Sequence, residues 1–348
     1  MKAITYQGIR NISTESIPDP EINHQDDVIV KVKVCGLCGS DLHVYRGHEQ
    51  GLDCGTAMGH EFVGEIVEVG KAVKHFKKGD TVVSPFTTNC GQCYYCKIGL
   101  TCRCENGQLY GWVEQDKGLH GGQAEFVNVP LADHTLVKLE DGISEETGLF
   151  LGDILSTGYY CADMAAIRPG GTYAVIGCGP VGLMAVVSAF DLGAQEVFAI
   201  DSVPERLDTA AAFGATPINY ITSDVLAIIM NGTKGRGVEA VMEAVGHPSA
   251  SRMAVDIVRP GGIISTVGVH TSEQFSFSPV EAYDKNLTYK IGRCPARHYM
   301  PILMEKVKTW NHDLTSIISH RLALEEGAEA YRIFDNKEDN CLKVVFTL

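Results

Sequence analysis

A glycine-rich turn between a strand pattern and a helix pattern constrains the fold of this chain more than any other feature. Residues 172–176 form a short apolar run typical of a buried strand, and residues 181–192 form an apolar run of helical length. The turn has the spacing G-x-G-x-x-G and comprises Gly177, Cys178, Gly179, Pro180, Val181 and Gly182. The first glycine permits a tight turn, the second lets the backbone approach a pyrophosphate at the helix N-terminus, and the third allows close helix–strand packing. We therefore predict a dinucleotide site here, the alternative being a turn that only packs a helix in an α/β protein with another ligand.

The second half of the chain continues as alternating strand and helix patterns. Strand patterns follow at 196–200, 217–220, 240–244, 263–267 and 287–291, with helical stretches such as 206–213 between several of them. Alternation at this spacing predicts a doubly wound parallel sheet with helices on both faces.

An acidic residue at the end of the second strand indicates which dinucleotide is bound. Asp201 follows the glycines at about the 20-residue distance at which a carboxylate accepts hydrogen bonds from ribose hydroxyls. The same charge would repel a 2′-phosphate, which favours NAD over NADP. Arg206 is a second predicted contact, and it is also the group that could accept such a phosphate.

The first half of the chain is rich in β patterns. Residues 28–34, 62–69 and 81–83 are apolar, β-branched runs bounded by glycine, cysteine or turn residues. They predict a twisted, barrel-like β domain. In the C-terminal tail, residues 299–310 fit a helix and 342–348 a strand, and composition does not decide which domain this tail joins.

A cluster of cysteines is the strongest local signal of a metal site. The spacing C-x2-C-x2-C-x7-C is formed by Cys90, Cys93, Cys96 and Cys104. Four thiolates so close in sequence can close a tetrahedron around one structural Zn²⁺ and leave no open position. An iron–sulfur cluster would require a different fourth spacing, and unligated thiols are the remaining alternative.

Composition limits the partners. The formal net charge of −14 disfavours nucleic acid, which needs a basic face. We see no N-terminal signal and no apolar run of about 18 residues, so we expect a cytoplasmic location and no membrane contact. The 12 cysteines then indicate metal or redox chemistry rather than disulfides.

Three further segments carry reactive residue types in a fixed order. They are Cys38-Gly39-Ser40-Asp41-Leu42-His43, Gly59-His60-Glu61-Phe62-Val63-Gly64 and Asp153-Ile154-Leu155-Ser156-Thr157-Gly158. Together with the cysteine cluster, the glycine turn and Asp201, these segments resemble the zinc-containing medium-chain dehydrogenase/reductase family, which includes alcohol, polyol and threonine dehydrogenases. The resemblance spans most of the chain in the family's order.

The resemblance implies an architecture and a metal centre. A GroES-like catalytic domain would comprise residues 1–154 and 296–348, and a Rossmann NAD-binding domain residues 155–295. A catalytic Zn²⁺ would be held by Cys38, His60 and Asp153, where one thiolate and one carboxylate offset the charge of the ion and a fourth position stays open. Asp41 would orient His60 through a hydrogen bond, and Glu61 could approach the ion transiently.

The resemblance also assigns roles around the cofactor. Ser40 and His43 would relay a proton, Thr157 would pack on the nicotinamide, and Lys343 would pair with the pyrophosphate. The chain would then bind two zinc ions and move hydride between a primary or secondary alcohol and NAD, forming an aldehyde or ketone, as a homo-oligomer that is a tetramer or a dimer.

Other functions stay open at this point. Polyol and threonine oxidation belong to the same family. Zinc-free enone or quinone reductases share the glycine turn but lack the cysteine cluster and the metal ligands, which argues against them. A non-enzymatic zinc- or nucleotide-binding protein would keep the cluster and the glycines without an open metal site.

Overall fold

A computed structural model describes all 348 residues, and the chain divides into two compact units. Unit 1 comprises Met1–Ser156 and Pro295–Leu348, and unit 2 comprises Thr157–Cys294. No helix has both the length and the apolar character needed to cross a bilayer.

The first segment of unit 1 is mostly β structure. Its strands are β1 Lys2–Gly8, β2 Asn11–Ser16, β3 Val28–Leu37, β4 Phe62–Val69, β5 Thr81–Val83, β6 Trp112–Glu114, β7 Lys117–Leu119, β8 Phe126–Val129 and β9 Val137–Lys138. Its helices are α1 Asp41–Tyr45, α2 Tyr94–Lys97, α3 Ala132–Thr135 and α4 Glu145–Gly152.

The middle of the chain alternates strands and helices. They are α5 Ile154–Met164, β10 Thr172–Ile176, α6 Pro180–Asp191, β11 Glu196–Asp201, α7 Pro204–Ala212, β12 Thr216–Asn219, α8 Val225–Gly232, β13 Val238–Glu243, α9 Pro248–Ile257, β14 Val258–Thr266, α10 Pro279–Asp284 and β15 Thr288–Ile291. The chain ends with α11 Ala296–Val307, β16 Ile318–Leu322, α12 Gly327–Asn336 and β17 Lys343–Thr347.

One seven-stranded sheet organises unit 1. Its order is β16-β17-β3-β4-β5-β9, with β8 also paired to β3. Strand β17 runs antiparallel to β3 with Val344 opposite Leu37, so the C-terminal tail completes the sheet of unit 1. Leu37, Phe62 and Phe346 are almost fully buried in the core beneath it. Burying a side chain of this kind stabilises the fold by about 1.5–3 kcal/mol.

A six-stranded parallel sheet organises unit 2, as the alternation of patterns predicted. Its order is β12-β11-β10-β13-β14-β15. Helices on both faces bury the strands, and for this reason β10 and β11 are almost continuously apolar. The strand order reverses direction between β10 and β13, which makes their carboxyl ends the topological switch point where ligands bind in such sheets.

A buried carboxylate fixes α1 to the C-terminal helix. The Asp335 side chain on α12 is only 4% exposed. It accepts hydrogen bonds from Arg46, which ends α1, and from Arg10, whose Nη1 lies 3.0 Å away. The short segment that carries Asp41 and His43 is thereby held in place by an ion pair as well as by core packing.

We predict that Asp335→Asn lowers the free energy of unfolding, because its two charge-assisted hydrogen bonds to Arg10 and Arg46 weaken. A buried bond of this kind contributes about 1.5–3 kcal/mol, and the solvent exposure of the two arginines reduces this contribution. Urea unfolding measures the change. Glu329→Gln is the matched control, since Glu329 pairs with Arg332 on the exposed face of the same helix and such pairs contribute little. Equal stability of the two variants would contradict the anchoring role.

Candidate metal centres and dinucleotide site

Adjacent strand ends bring two of the predicted metal ligands together. Cys38 follows the last residue of β3, and His60 precedes β4. The two strands pair antiparallel with Cys35 opposite Phe62, so the end of one lies beside the start of the other. Both residues are only about 9% exposed.

The third predicted ligand comes from the end of a helix. Asp153 follows Gly152, the last residue of α4, and its backbone N–H bonds to Phe150 O. A Cβ on Gly152 would lie 2.4 Å from Ser84 O on the neighbouring chain segment. Glycine at this position therefore allows the helix end to approach closely and to present Asp153 beside Cys38 and His60.

These side chains form one buried cluster. Asp153 Oδ2 lies 3.3 Å from Cys38 Sγ and 3.3 Å from His60 Nε2. The ligand atoms of Cys38, His60, Glu61 and Asp153 all lie within 4.8 Å of one another. Asp41 Oδ1 lies 3.1 Å from His60 Nδ1, which leaves Nε2 directed at the centre of the cluster.

Burial and charge set the protonation of the cluster. Burial raises the pKa of the Cys38 thiol to about 11, and Asp153 adds to the rise. Burial also raises the pKa of Glu61 to about 7, against the lowering effect of Lys343. For His60, burial lowers the pKa, but Asp41 and Asp153 raise it more strongly, and the net direction is upward. The cluster therefore favours positive charge at its centre.

The donor set fits a zinc ion. Zinc binds Cys sulfur, His nitrogen and carboxylate oxygen at about 2.0–2.3 Å in a tetrahedron, which places ligand atoms roughly 3.3–3.8 Å apart. The 3.3 Å separations at Asp153 agree with this edge length. In addition, Glu61 Oε1 is buried and has no hydrogen-bond partner, so this oxygen is available to a cation in the cluster.

Lys343 has a different partner from the one predicted. Its side chain is fully buried, and Nζ bonds to Glu61 Oε2 and, at 3.0 Å, to Leu37 O. The ammonium offsets the Glu61 carboxylate inside unit 1 and is not exposed to receive a pyrophosphate. The prediction from the resemblance is corrected accordingly, because a buried carboxylate needs this cation.

The structure brings the Ser40 side chain to the cluster but does not join it to the His43 side chain. Ser40 Oγ lies 3.2 Å from His60 Nε2. His43 Nδ1 is buried and has no hydrogen-bond partner. Burial lowers the pKa of His43 below its ordinary value, so the imidazole is neutral at neutral pH and able to accept a proton.

The four cysteines form a second cluster. The sulfur atoms of Cys90, Cys93, Cys96 and Cys104 lie within 4.8 Å of one another. Backbone N–H groups point at the sulfurs, with Cys90 N donating to Cys104 Sγ at 3.2 Å. Burial works to raise the pKa of Cys90, but the N–H groups of Gln92 and Cys93 lower it to about 6. Burial raises the pKa of Cys96 and Cys104 instead. The four converging sulfur atoms, here called the cysteine cage, fit a closed, structural zinc site that would bind them as thiolates.

In unit 2 the glycine turn has the conformation that its spacing predicted. Gly177 follows β10 with φ +88°, and α6 begins at Pro180 with Gly179 as its N-cap. A Cβ on Gly182 would lie 1.7 Å from Gly177 O, so this position accepts no side chain without a backbone shift. Val181 follows Pro180 in the first turn of α6, where unpaired N–H groups favour an anion.

Thr157 lies on α5, which packs against α6. The next residue, Gly158, approaches so closely that a Cβ there would lie 2.6 Å from Ala185 N. Thr157 is half-buried, in the same unit as the glycine turn.

Asp201 braces the glycine turn. Its carboxylate accepts hydrogen bonds from three backbone N–H groups, those of Cys178, Ser202 and Val203, at 2.7–3.0 Å. Arg206 Nη1 lies 3.8 Å from Asp201 Oδ2, and Arg206 Nε is buried without a hydrogen-bond partner. A carboxylate offers about four lone-pair positions, so one stays available to a ligand hydroxyl.

Sequence reasoning missed a second acidic residue at the switch point. Glu243, the last residue of β13, is fully buried and accepts hydrogen bonds from Val245 N and Gly246 N at 2.7 and 2.8 Å. His270 Nε2 lies 3.2 Å from its other oxygen. The signal that could have revealed it is an acidic residue directly after the apolar run at 240–242, at the carboxyl end of a strand.

Comparisons with known proteins bear on this arrangement. Residues 24–141 match the family described as "Alcohol dehydrogenase GroES-like domain", and residues 180–309 match the family described as "Zinc-binding dehydrogenase". The chain belongs to the zinc-containing medium-chain dehydrogenase/reductase family. The predicted family and the predicted fold class, with a GroES-like domain and a Rossmann-like parallel sheet, are thereby confirmed.

Individual relatives agree with this membership. Zinc-type alcohol dehydrogenase B of Aspergillus flavus is 40% identical over 344 residues, which cover 96% of this chain and 79% of that protein. Sorbitol dehydrogenase of Bacillus subtilis is 33% identical over 350 residues, covering 99% and 96%. The structure of alcohol dehydrogenase TADH from Thermus sp. ATN1 superposes with a TM-score of 0.94 at 38% identity, covering 100% and 99%. The chain is an oxidoreductase of the zinc-type alcohol dehydrogenase family, and this family acts on small-molecule alcohols.

We predict that Lys343→Met destabilises the protein by about 3–5 kcal/mol, because it leaves the buried Glu61 carboxylate without its cation. The pKa of Glu61, already raised to about 7, rises further when the ammonium is removed. A protonated Glu61 needs no cation, so the deficit shrinks as the pH is lowered below 7 and grows as it is raised.

Urea unfolding across this pH range tests the prediction. The double variant Glu61→Gln/Lys343→Met should recover most of the loss. Lys138→Met is the control, since Lys138 pairs with Asp80 through a side chain that is 60% exposed and should cost no more than about 1 kcal/mol. A pH-independent deficit that persists in the double variant would rule out the charge pairing as its cause.

Proposed function

We propose that this protein is a zinc-dependent dehydrogenase that moves hydride between the carbon of a primary or secondary alcohol and NAD. The observation that carries the proposal is the convergence of Cys38, His60 and Asp153 beside the unpartnered Glu61 Oε1. A closed structural zinc site would not account for a buried oxygen, Glu61 Oε1, that accepts no hydrogen bond. This feature favours an open catalytic site over a non-enzymatic zinc protein and over a zinc-free reductase.

Cys38, His60 and Asp153 would hold the catalytic zinc, and Cys90, Cys93, Cys96 and Cys104 the structural zinc. When bound, the catalytic ion supplies Lewis acidity toward the alcohol oxygen and NAD supplies the hydride acceptor. Asp41 holds His60 in the tautomer that carries its proton on Nδ1. Glu61 lies close enough to act as a transient ligand, with Lys343 offsetting its charge.

Proton transfer falls to Ser40 and His43. Ser40 Oγ lies at the cluster, 3.2 Å from His60 Nε2, where a hydroxyl can take the proton of an alcohol. His43 is a neutral imidazole with an unpartnered Nδ1 and is suited to receive that proton. No hydrogen bond joins the two side chains, so a relay between them would need a hydroxyl group of a water or of a bound ligand to pass the proton from Ser40 Oγ to His43.

The dinucleotide would bind at the glycine turn of unit 2. The N-terminus of α6 offers backbone N–H groups to the pyrophosphate, and Gly179 leaves room for its approach. Asp201 keeps one acceptor position for ribose hydroxyls, and its negative charge favours NAD over NADP. Arg206 lies beside it, and Thr157 would pack on the nicotinamide.

Polyol oxidation is the second candidate, because a relative of comparable identity over nearly the whole chain is a sorbitol dehydrogenase. A panel of primary alcohols, secondary alcohols, diols and threonine, scored by NADH formation, separates the two. Turnover of none of them with NAD would overturn the proposed function.

We predict that Asp153→Ala lowers the zinc content from about two ions per chain to about one and abolishes turnover, because the catalytic site loses a ligand while the cysteine cage is untouched. Metal analysis and NADH formation measure the two effects. Asp27→Ala is the matched control, since Asp27 is a buried aspartate of the same unit that bonds to backbone and Asn128 instead. Full turnover by Asp153→Ala would refute the ligand assignment.

Two alanine substitutions in the glycine turn should separate folding from cofactor binding. In Gly182→Ala the new Cβ meets Gly177 O at 1.7 Å, so we expect a loss of about 1–3 kcal/mol of stability or more. In Gly179→Ala the only neighbour within 4 Å is Arg206 Nη1 at 3.8 Å, so the melting temperature should hold while NADH affinity falls. NADH fluorescence titration measures the second effect, and unchanged affinity in Gly179→Ala would place the pyrophosphate elsewhere.

A further inference from the structure

A buried chain of hydrogen-bonded side chains extends from the predicted zinc ligands of unit 1 into its core. Beyond His60 and Asp41 it continues to Gln123, whose Nε2 lies 3.4 Å from Asp41 Oδ2. It ends at Tyr331, whose hydroxyl bonds to Gln123 Oε1 at 3.0 Å. Gln123 and Tyr331 are fully buried, and neither belongs to any motif of the sequence.

Counting donors and acceptors fixes the direction of this chain. Gln123 Nε2 lies 2.9 Å from Gly36 O, and a carbonyl oxygen only accepts. The amide nitrogen must therefore face Gly36, which leaves Oε1 facing Tyr331 and makes the tyrosine hydroxyl the donor. Burial raises the pKa of Tyr331 well above its ordinary value, so that hydroxyl keeps its proton.

The same direction continues to the metal side. The second hydrogen of Gln123 Nε2 points to Asp41 Oδ2, which also accepts the backbone N–H of Cys38 at 3.0 Å. Asp41 is thus held by donors on one oxygen, and its other oxygen is left to accept from His60 Nδ1. Every donor in the series points toward the next acceptor, so that His60, with its proton on Nδ1, would offer the lone pair of Nε2 to a bound cation.

Backbone hydrogen bonds fix the position of Gln123. Its N–H bonds to Met58 O and its C=O accepts from Ile4 N, both at 2.8 Å. Its side chain lies over Gly59, where a Cβ would come within 2.4 Å of Gln123 Cγ. The absence of a side chain on Gly59, the residue before the predicted ligand His60, therefore leaves the space that Gln123 occupies, and hydrogen bonds to Gly36 O and from Tyr331 hold the amide.

We propose that Gln123 and Tyr331 are positioning residues for the catalytic metal: the buried series Tyr331–Gln123–Asp41 sets the orientation and tautomer of His60. This inference rests on the proposed zinc site. Neither residue touches substrate or cofactor, and both act through Asp41. Their effect should appear first in how tightly the catalytic ion is held and how its ligands are arranged.

The test uses Gln123→Met, which fills the space without polar atoms, and Tyr331→Phe, which removes one oxygen and keeps the ring that packs 5.5 Å from Tyr45. We expect the affinity of the catalytic site for zinc, measured by chelator competition, to fall about 10-fold in Gln123→Met, the lower end of the effect of outer partners of metal-bound histidines. Tyr331→Phe should change it less, in the same direction. The cysteine cage serves as an internal reference and should keep its zinc.

The absorption spectrum of bound Co²⁺ and a double variant with Asp41→Asn distinguish a positioning role from a general loss of stability. With Co²⁺ in place of zinc, the visible absorption bands should shift in both variants, because the ligand geometry at His60 changes. In an Asp41→Asn background, Gln123→Met should have little further effect on zinc affinity, because its route to His60 is already broken.

Matched controls come from the same unit. Tyr110→Phe removes the hydroxyl of a tyrosine that is 1% exposed and packs on Phe62. Asn128→Leu removes a buried amide whose Nδ2 lies 3.2 Å from the buried Asp27. Neither control should alter zinc affinity or the cobalt spectrum.

The outcomes separate the two levels of the proposal. If the wild-type chain holds zinc only in the cysteine cage, the proposed function fails and this inference with it. If the wild-type chain holds both ions and the Gln123 and Tyr331 variants match their controls, the positioning role alone is overturned. Should Gln123→Met not fold, the comparison of Tyr331→Phe with Tyr110→Phe decides the question.

Discussion

Buried negative charge between the ends of β3 and α4 is the constraint on which unit 1 depends. Cys38, Asp41, Glu61 and Asp153 bring thiol and carboxylate groups to a place that water hardly reaches, and an uncompensated buried charge costs several kcal/mol. Lys343 offsets Glu61, and His60 lies between Asp41 and Asp153. The remaining charge must be balanced by protons or by a divalent cation. Since burial keeps the Cys38 thiol protonated, metal binding there has to release that proton, which couples metal affinity to pH.

The parts of this molecule that follow from local sequence were predictable. Strands at 62–69, 81–83 and 172–176 have the same bounds in the structure, because apolar alternation and flanking glycines act within a few residues. The cysteine spacing at 90–104 was readable for a related reason, because four sulfur donors stand close together in one segment. Cys38, His60 and Asp153 were indicated only by the resemblance to a family, because they are far apart in sequence. Helices α4 and α5 were missed because Gly148, Gly152 and Gly158 interrupt their helical pattern, and each glycine is there for close packing against another segment.

Side-chain pairing across long separations was not predictable. Lys343 and Glu61 are 282 residues apart, and only the placement of β17 beside β3 brings them together. The resemblance implied a role for Lys343 at the pyrophosphate, whereas the fold directs its side chain into the core of unit 1. Tyr331 and Gln123 are 208 residues apart and carry no motif for the same reason. Ser40 and His43 illustrate the reverse case: they are close in sequence, but their side chains share no hydrogen bond because Ser40 Oγ lies toward His60.

The two clusters differ in a way that suits two different tasks. In the cysteine cage, four thiolates would give a divalent ion more negative charge than its own positive charge, which lowers its Lewis acidity toward any further oxygen. No ligand position would remain open. At Cys38, His60 and Asp153, one thiolate and one carboxylate would balance the charge of the same ion and preserve its Lewis acidity. Glu61 would upset that balance if its charge stood alone. Lys343 removes this excess without exposing the site to water, so the buried ion pair and the ligand set are parts of one electrostatic arrangement.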